Sequence, residues 1–333
     1  MSLRTQYENL GDYLIAQATI DFFSERGQLI IDIRKVPNNY IDLFDFPIDT
    51  ILVKNGFITN ILKNRENKWI YLIKPGGFSV ATNFKMNIKN LLMGSYFRLA
   101  KIISNCEIIK MPHSLNGSMS IYDVYYHNSI DKIFTRDMET YNKIKKNSSS
   151  KIFLTSDMAM FYYKKKSKFH NSEVRERDKI AISLRYDRID KETVITNKLI
   201  ENLNTKKGLL PIFISQVLFD TKLNHQESLK YNTKNVEYNI NSDSLKKIVT
   251  TYSESKYVVS NRLHSLLLGL INGSIPIALI DKEKDKKIIG CLNELNIKFF
   301  YIDDFIKNNE DIIEKILIQK EPSISFKHME IEL

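Results

Sequence analysis

The chain has 333 residues, 43% of them hydrophobic and 26% charged, a size that suits two ordinary domains or one large one and a balance that excludes a disordered chain. No run reaches the roughly 18 apolar residues of a membrane span, the opening MSLRTQYENLGD holds no signal-peptide core, and Cys106 and Cys291 lack motif spacing, which reads as buried thiols in a reducing cytosol. The net charge of +10 favours acidic partners, namely phosphorylated metabolites, nucleic acid or an anionic membrane face, although the lysines are dispersed among asparagine and isoleucine.

In chain order, NLGD opens a predicted helix over Asp12–Arg26 and sets Asn9, Gly11 and Asp12 at its start. Strands follow at Gln28–Ile33, Thr50–Val53 and Trp69–Ile73. The last runs into KPGGF, where Gly76 and Gly77 let backbone approach a ligand closely. A helix over Asn87–Ser104 precedes a strand at Glu107–Met111, with His113 and Ser114 just beyond it. Strands Lys132–Thr135, followed by Arg136 and Asp137, and Lys151–Thr155 close this half. YYKKKSKFHNSEVRERDK, Tyr162–Lys179, has no apolar period and reads as a solvated linker. Then come strand Lys179–Leu184 ending at Arg185, helix Lys191–Leu203, strand Leu210–Ile214 and helix Ser242–Tyr252. Strand Tyr257–Ser260, helix Arg262–Asn272, strand Ile275–Leu279, helix Lys284–Leu295 and strand Lys298–Tyr301 complete the chain.

Strands separated by helices predict an α/β fold of two Rossmann-like, doubly wound domains, 1–161 and 179–333, joined by linker 162–178 across a cleft. Ligands in such sheets sit beyond the carboxyl ends of the strands. Polar residues just after each strand are therefore the candidates.

VVSNRLHSLLLGLINGSIPIALI is the sharpest case: its only formal charge is Arg262, and His264 stands two residues on. Leu263, Leu266, Leu267 and Leu270 recur at core spacing, with Asn261 as the expected N-cap. Free N–H groups and the dipole make a cation unfavourable at a helix start unless an anion neutralises it. That anion is either a ligand or a carboxylate from across the cleft. Arg185, at the end of KIAISLRYD, repeats the logic. No Cys/His metal spacing, Gly-x-Ser-x-Gly elbow or HExxH is present, so no metal and no cofactor are expected.

These residues resemble the polysaccharide pyruvyl transferase family. The strongest likeness is VVSNRLHSLLLGLINGSIPIALIDKEKDKKIIGCLNELNI, and NLGDYLI, KPGGF, IIKMPHSL, FTRDMETY, FLTSD and AISLR follow the family order. The resemblance implies a GT-B-like pair of Rossmann-like domains. It also implies transfer of the pyruvyl group of phosphoenolpyruvate onto two hydroxyls of a sugar, forming a ketal on a cell-surface polysaccharide or its precursor. Arg262 and Arg185 would then hold the donor's phosphate and carboxylate as bidentate forks. His264 would be the acid, Asp12 a base for an acceptor hydroxyl, Lys287 a phosphate contact, and Asn9, Gly76, Gly77 and His113 further substrate contacts. Phosphoenolpyruvate enters as co-substrate, and the sugar acceptor is free or lipid-linked. The expected setting is cytoplasmic, with peripheral contact at the inner membrane face and no nucleic acid. The chain departs from the family in three places: the strand ahead of NLGD is missing or very short, KPGGF is glycine-poor, and His113 stands where glutamine is commoner. Two alternatives remain: a GT-B-like glycosyltransferase using a nucleotide sugar, and a basic binding protein acting through Lys164–Lys168.

Overall fold

A computed structural model describes the chain except residues 64–65, 81–82, 168–176, 186–194, 196, 203–207, 320–321, 323, 325–330 and 332–333. The start of the helix expected at Lys191–Leu203 (191–194, 196) and its last residue lie outside the described residues, while 195 and 197–202 are helical; the middle of the expected linker also lies outside.

In the N-terminal half, β1 (Ile30–Asp32) and β2 (Ile51–Val53) pair in parallel. Beside them the strand ahead of NLGD is a stub: Ser2 bridges Asp32 in parallel, and Asp32 N–H donates to the Met1 carbonyl at 2.8 Å. A second parallel sheet runs β3-β5-β6-β7, built from β3 (Trp69–Ile73), β5 (Cys106–Asn116), β6 (Lys132–Thr135) and β7 (Lys151–Leu154), while β4 (Gly76–Ser79) pairs with the far end of β5. The helices of this half are α1 (Leu10–Ser24), α2 (Asn38–Ile41), α3 (Phe57–Lys63), α4 (Phe84–Ile103), α5 (Ile121–His127), α6 (Met138–Asn147) and α7 (Met158–Ser167). The segment read as linker thus begins as the second half of α7. The first half of α7 buries Met158, Ala159 and Met160 completely, which is why the helix packs instead of dangling.

Gly76, Gly77 and His113, expected in loops past their strands, lie within strands. A register shift between Lys110 and His113 carries β5 on to Asn116, and this extension pairs Gly76 with His113 and Gly77 with Ser114. Gly76 holds φ at +110°, a conformation that disfavours any side chain. His113 is fully buried and its Nδ1 bonds the Phe134 carbonyl at 2.9 Å. Burial, reinforced by the neighbouring Lys110, holds its imidazole well below its ordinary pKa.

Lys110 is itself buried, its Nζ donating to the Lys74 carbonyl at 3.0 Å, and burial lowers its pKa to about 7. The folded state therefore disfavours the ammonium form. That penalty is complete below about pH 7 and is relieved as pH rises towards the ordinary 10.5. Lys110→Met is expected to raise the melting temperature, most at pH 7 and below, with the gain shrinking through the alkaline range. Melting curves at several pH values check this, and a gain independent of pH would contradict it.

The C-terminal half is one six-stranded parallel sheet in the order β10-β9-β8-β11-β12-β13. Its strands are β8 (Lys179–Ser183), β9 (Leu210–Ser215), β10 (Lys234–Glu237), β11 (Ser255–Ser260), β12 (Ile275–Ile280) and β13 (Phe299–Tyr301). The order is that of a Rossmann sheet, with the topological switch point between β8 and β11. Helices α8 (Thr221–Lys230), α9 (Ser242–Glu254), α10 (Leu263–Ile271), α11 (Lys286–Glu294), α12 (Ile302–Lys307) and α13 (Asn309–Leu317) cover it. Among them α10 is buried nearly all round: Leu266, Leu267 and Ile271 have no exposure.

Candidate functional site

Arg185 and Arg262 follow β8 and β11, the two strands that flank the switch point. One side chain ties these strand ends together. Asn261, expected to cap α10, instead accepts a hydrogen bond from the Arg185 N–H at 2.8 Å. Arg262 is the N-cap residue, and its own N–H donates to Ser260 Oγ at 2.9 Å. The chain between β11 and α10 is thereby fixed, and both guanidinium groups open onto one pocket of about 170 Å³.

That pocket lies between the two halves. Asn9 and Arg136 enter from the N-terminal half, and Arg185, Gln216, Arg262, His264 and Lys287 from the C-terminal half. The NLGD loop is stitched into place across the cleft. Asn9 bridges Val217 in antiparallel fashion, and the Leu10 N–H donates to the Gln216 carbonyl at 3.0 Å. Asn9 also caps α1 through its Oδ1, which accepts from the Gly11 N–H at 3.0 Å. A larger cavity of about 400 Å³ opens elsewhere, against β1 and β3. The smaller cleft, unlike that cavity, lies at the carboxyl ends of the strands that flank the switch point, where ligands of such sheets sit.

Two buried carboxylates organise the cleft from behind. Asp220, just past β9, pairs with Arg262 at 2.5 Å and is 2% exposed. The carboxylate beside Arg262 thus comes from its own half and not, as in one of the two alternatives, from across the cleft. The short turn after β9 delivers it, while Val217 is held against Asn9. Asp157, just past β7, engages Arg136 and stands 3.5 Å from His264 Nε2. Burial alone would raise the Asp157 carboxyl, but the Arg136 guanidinium and the His264 ring outweigh it and hold it well below the usual carboxylate range. Arg136 is braced a second time by Nε donating to Ser114 Oγ at 2.8 Å. The four cations lining the pocket outnumber these two carboxylates, so the cleft is built for an anion. Lys287 feels that crowding: burial and then Arg136 lower its pKa.

His264 sits against the first turn of α1. A Cβ added at Gly11 would lie within 2.8 Å of His264 Cβ and Cγ, so only glycine lets α1 approach the ring. The glycine of NLGD is therefore a seat for His264, made by close approach and not by an unusual backbone angle.

Of the residues singled out in the sequence, Asn9, Arg185, Arg262, His264 and Lys287 are brought together in this pocket. Asp12 is not among its lining residues; its carboxylate accepts from Thr5, from the Gln6 N–H at 3.3 Å and from Asn9 Nδ2 at 3.2 Å, one hydrogen bond behind the pocket. Gly76, Gly77 and His113 lie in the N-terminal sheet and do not line the pocket, although the His113 carbonyl accepts from the N–H of the lining residue Arg136 at 3.2 Å. Arg136, read from the sequence as a polar residue at a strand end, also lines the pocket, and Asp157 ends the FLTSD motif, though neither was given a role; Gln216 and Asp220 were not singled out. Their common signal is position: each is a polar residue just past a parallel strand.

The family model for polysaccharide pyruvyl transferase matches residues 9–274, the greater part of the chain. No curated protein matches it by sequence. Among solved structures, a UDP-GlcNAc 2-epimerase from Methanocaldococcus jannaschii is similar at 13% identity and a TM-score of 0.59, covering 96% of this chain and 93% of that one. A UDP-GlcNAc 2-epimerase from Neisseria meningitidis, solved with UDP-GlcNAc bound, is similar at 11% identity and a TM-score of 0.57, covering 95% and 92%. These likenesses show the fold, two Rossmann-like domains in the GT-B manner.

Proposed function

Because the chain belongs to the polysaccharide pyruvyl transferase family, we propose that it transfers the pyruvyl group of phosphoenolpyruvate onto two hydroxyls of a sugar. The observation that carries this reading is the convergence of Arg136, Arg185, Arg262 and Lys287 on a pocket of about 170 Å³ that also holds His264. Phosphoenolpyruvate presents a phosphate and a carboxylate a few bonds apart, and paired guanidinium forks suit both. The volume lies below the roughly 300–1,000 Å³ of sites for larger ligands, which favours this small donor over a nucleotide sugar. No metal or further cofactor enters the proposed chemistry.

In this reading the residues from 179 onward form the donor side and those up to 161 the acceptor side. Arg262, kept oriented by Asp220, and Arg185 hold the donor's two anionic groups, with Lys287 on the phosphate. His264 delivers a proton to the methylene carbon, which becomes the methyl group and leaves C2 electrophilic. One acceptor hydroxyl adds to C2. The second displaces phosphate by breaking the bond between C2 and the bridging oxygen, and each hydroxyl loses its proton. Asp12 is the base proposed for such a proton, reached through Asn9, which its carboxylate contacts at 3.2 Å. Asp157, 3.5 Å from Nε2, holds the ring of His264 at the cleft. The acceptor belongs to a cell-surface polysaccharide or its precursor, free or lipid-linked.

A ligand that binds only the folded chain stabilises it by RT ln(1 + [L]/Kd). Phosphoenolpyruvate at about millimolar concentration, a common metabolite affinity, is therefore expected to raise the melting temperature. Inorganic phosphate, engaging part of the site, should raise it less, and UDP-sugars should not exceed phosphate. Mass spectrometry of candidate glycans incubated with phosphoenolpyruvate should then show the gain of one pyruvyl ketal. No melting shift with phosphoenolpyruvate, or a larger one with a nucleotide sugar, would overturn the donor assignment.

A further inference from the structure

Helix α4 is apolar on two opposite faces. Its inner face, Asn90, Gly94, Phe97 and Ala100, is buried against the N-terminal sheet and α5. Its outer face carries Phe84, Ile88, Leu91, Leu92, Leu99 and Ile102, all exposed, with Phe84 at 76%, Leu92 at 64% and Ile102 at 81%. At 3.6 residues per turn these six fall within an arc of about 100°, so they form one stripe. Ile121, 78% exposed at the start of α5, extends it, since Ser120 of that turn reaches Asn87 of α4 at 3.4 Å. A stripe of this kind is the core-facing pattern of a surface helix, yet here it faces outward.

The charges around the stripe name its partner. Phe84–Ile103 contains four basic residues and no acidic one; Lys101 pairs with Asp131 at 2.7 Å and Arg98 lies over the Tyr125 ring, so Lys85 and Lys89 are the cations turned to the outside. Lys85 and Lys89 are exposed beside Ile88 and Leu92. An apolar stripe bordered by lysines is the pattern of a helix lying in the plane of a membrane interface, with its apolar side chains among the acyl chains and its lysines on anionic headgroups. No helix among the described residues is long and apolar enough to cross a membrane. We propose that the outer face of α4 docks on an anionic lipid bilayer, anchoring the N-terminal half at the surface. The inference stands on this surface alone and does not depend on the pyruvyl reading.

Co-sedimentation with phosphatidylcholine vesicles, with and without phosphatidylglycerol, tests it in the absence of substrate. The full chain should bind the anionic vesicles, and raising salt from about 0.1 to 0.5 M, which shortens screening from about 10 Å towards 3 Å, should weaken binding several-fold. The variant Phe84→Gln/Leu92→Gln/Ile102→Gln should lose at least about tenfold in partitioning while keeping its melting temperature, since all three side chains are exposed. Lys85→Gln/Lys89→Gln should lose the preference for anionic lipid. Absence of vesicle binding, or binding unchanged in the triple variant, overturns the proposal. So does a dimer in light scattering that the triple variant converts to monomer, because the stripe would then be covered by a second copy. Failure here leaves the melting shift with phosphoenolpyruvate unaffected, so the two readings fall separately.

Discussion

His264→Ala is expected to lower turnover by about two to four orders of magnitude, the usual share of general acid–base catalysis, with the chain still folded and donor binding little changed. The ring is not part of the buried packing of α10; its neighbours are Gly11, the Asp157 carboxylate and the cleft. Removing it leaves Asp157 with its Arg136 partner, so no buried charge is orphaned. His264→Gln should fail similarly, because an amide hydrogen-bonds but is no acid near neutral pH. Asp157→Asn is the informative contrast. It leaves Arg136 without its carboxylate, which for a buried pair costs about 3–5 kcal/mol. That variant should therefore lose both stability and turnover, where His264→Ala loses turnover alone. Circular dichroism, donor titration and steady-state kinetics on each variant separate these outcomes. Near-normal turnover in folded His264→Ala would remove the histidine from the mechanism.

Arg262→Lys is expected to weaken donor binding by roughly 1.5–3 kcal/mol, the range for hydrogen bonds to a charged group. At about 1.4 kcal/mol per factor of ten, this is on the order of 10- to 150-fold in the Michaelis constant for donor. The charge persists, so Asp220 still has a cation beside it. The planar fork is lost, and one ammonium cannot serve both Asp220 and a bidentate anion. The fold should survive, since the leucines of α10 are untouched. Turnover at saturating donor should fall much less than in His264→Ala. An unchanged Michaelis constant would show that Arg262 serves Asp220 alone, as a structural ion pair.

Periodicity alone located most of the elements that carry the cleft, because hydrophobic repeat and strand–helix alternation are local properties of a chain. The strands at Trp69–Ile73 and Lys132–Thr135 coincide with those observed, and Arg185 and Arg262 were legible as cations at the ends of buried strands. Local pattern also misled in recognisable ways. Gly76–Gly77 and His113 read as loop residues because pairing between β4 and β5 is a long-range contact with no signature in either segment. Tyr162–Ser167 read as linker because the burial that makes α7 a helix belongs to its first half.

What the sequence by itself determined is the alternation that builds parallel sheets, the apolar helix behind Arg262 and His264, and the presence of cations at strand ends. Only the tertiary structure decided which of those polar residues meet. Asp157, at the end of FLTSD, and Asp220 each follow a strand, but their own neighbourhoods do not say which cation each one holds. Likewise, Gly11 looks like part of a helix start until His264, from the other half of the chain, is found against it. Strand order does this work: it places β8 beside β11 and brings the NLGD loop across to Val217. Charges that are strangers in sequence then come within reach of one another, with carboxylates buried deeply enough that each partner counts.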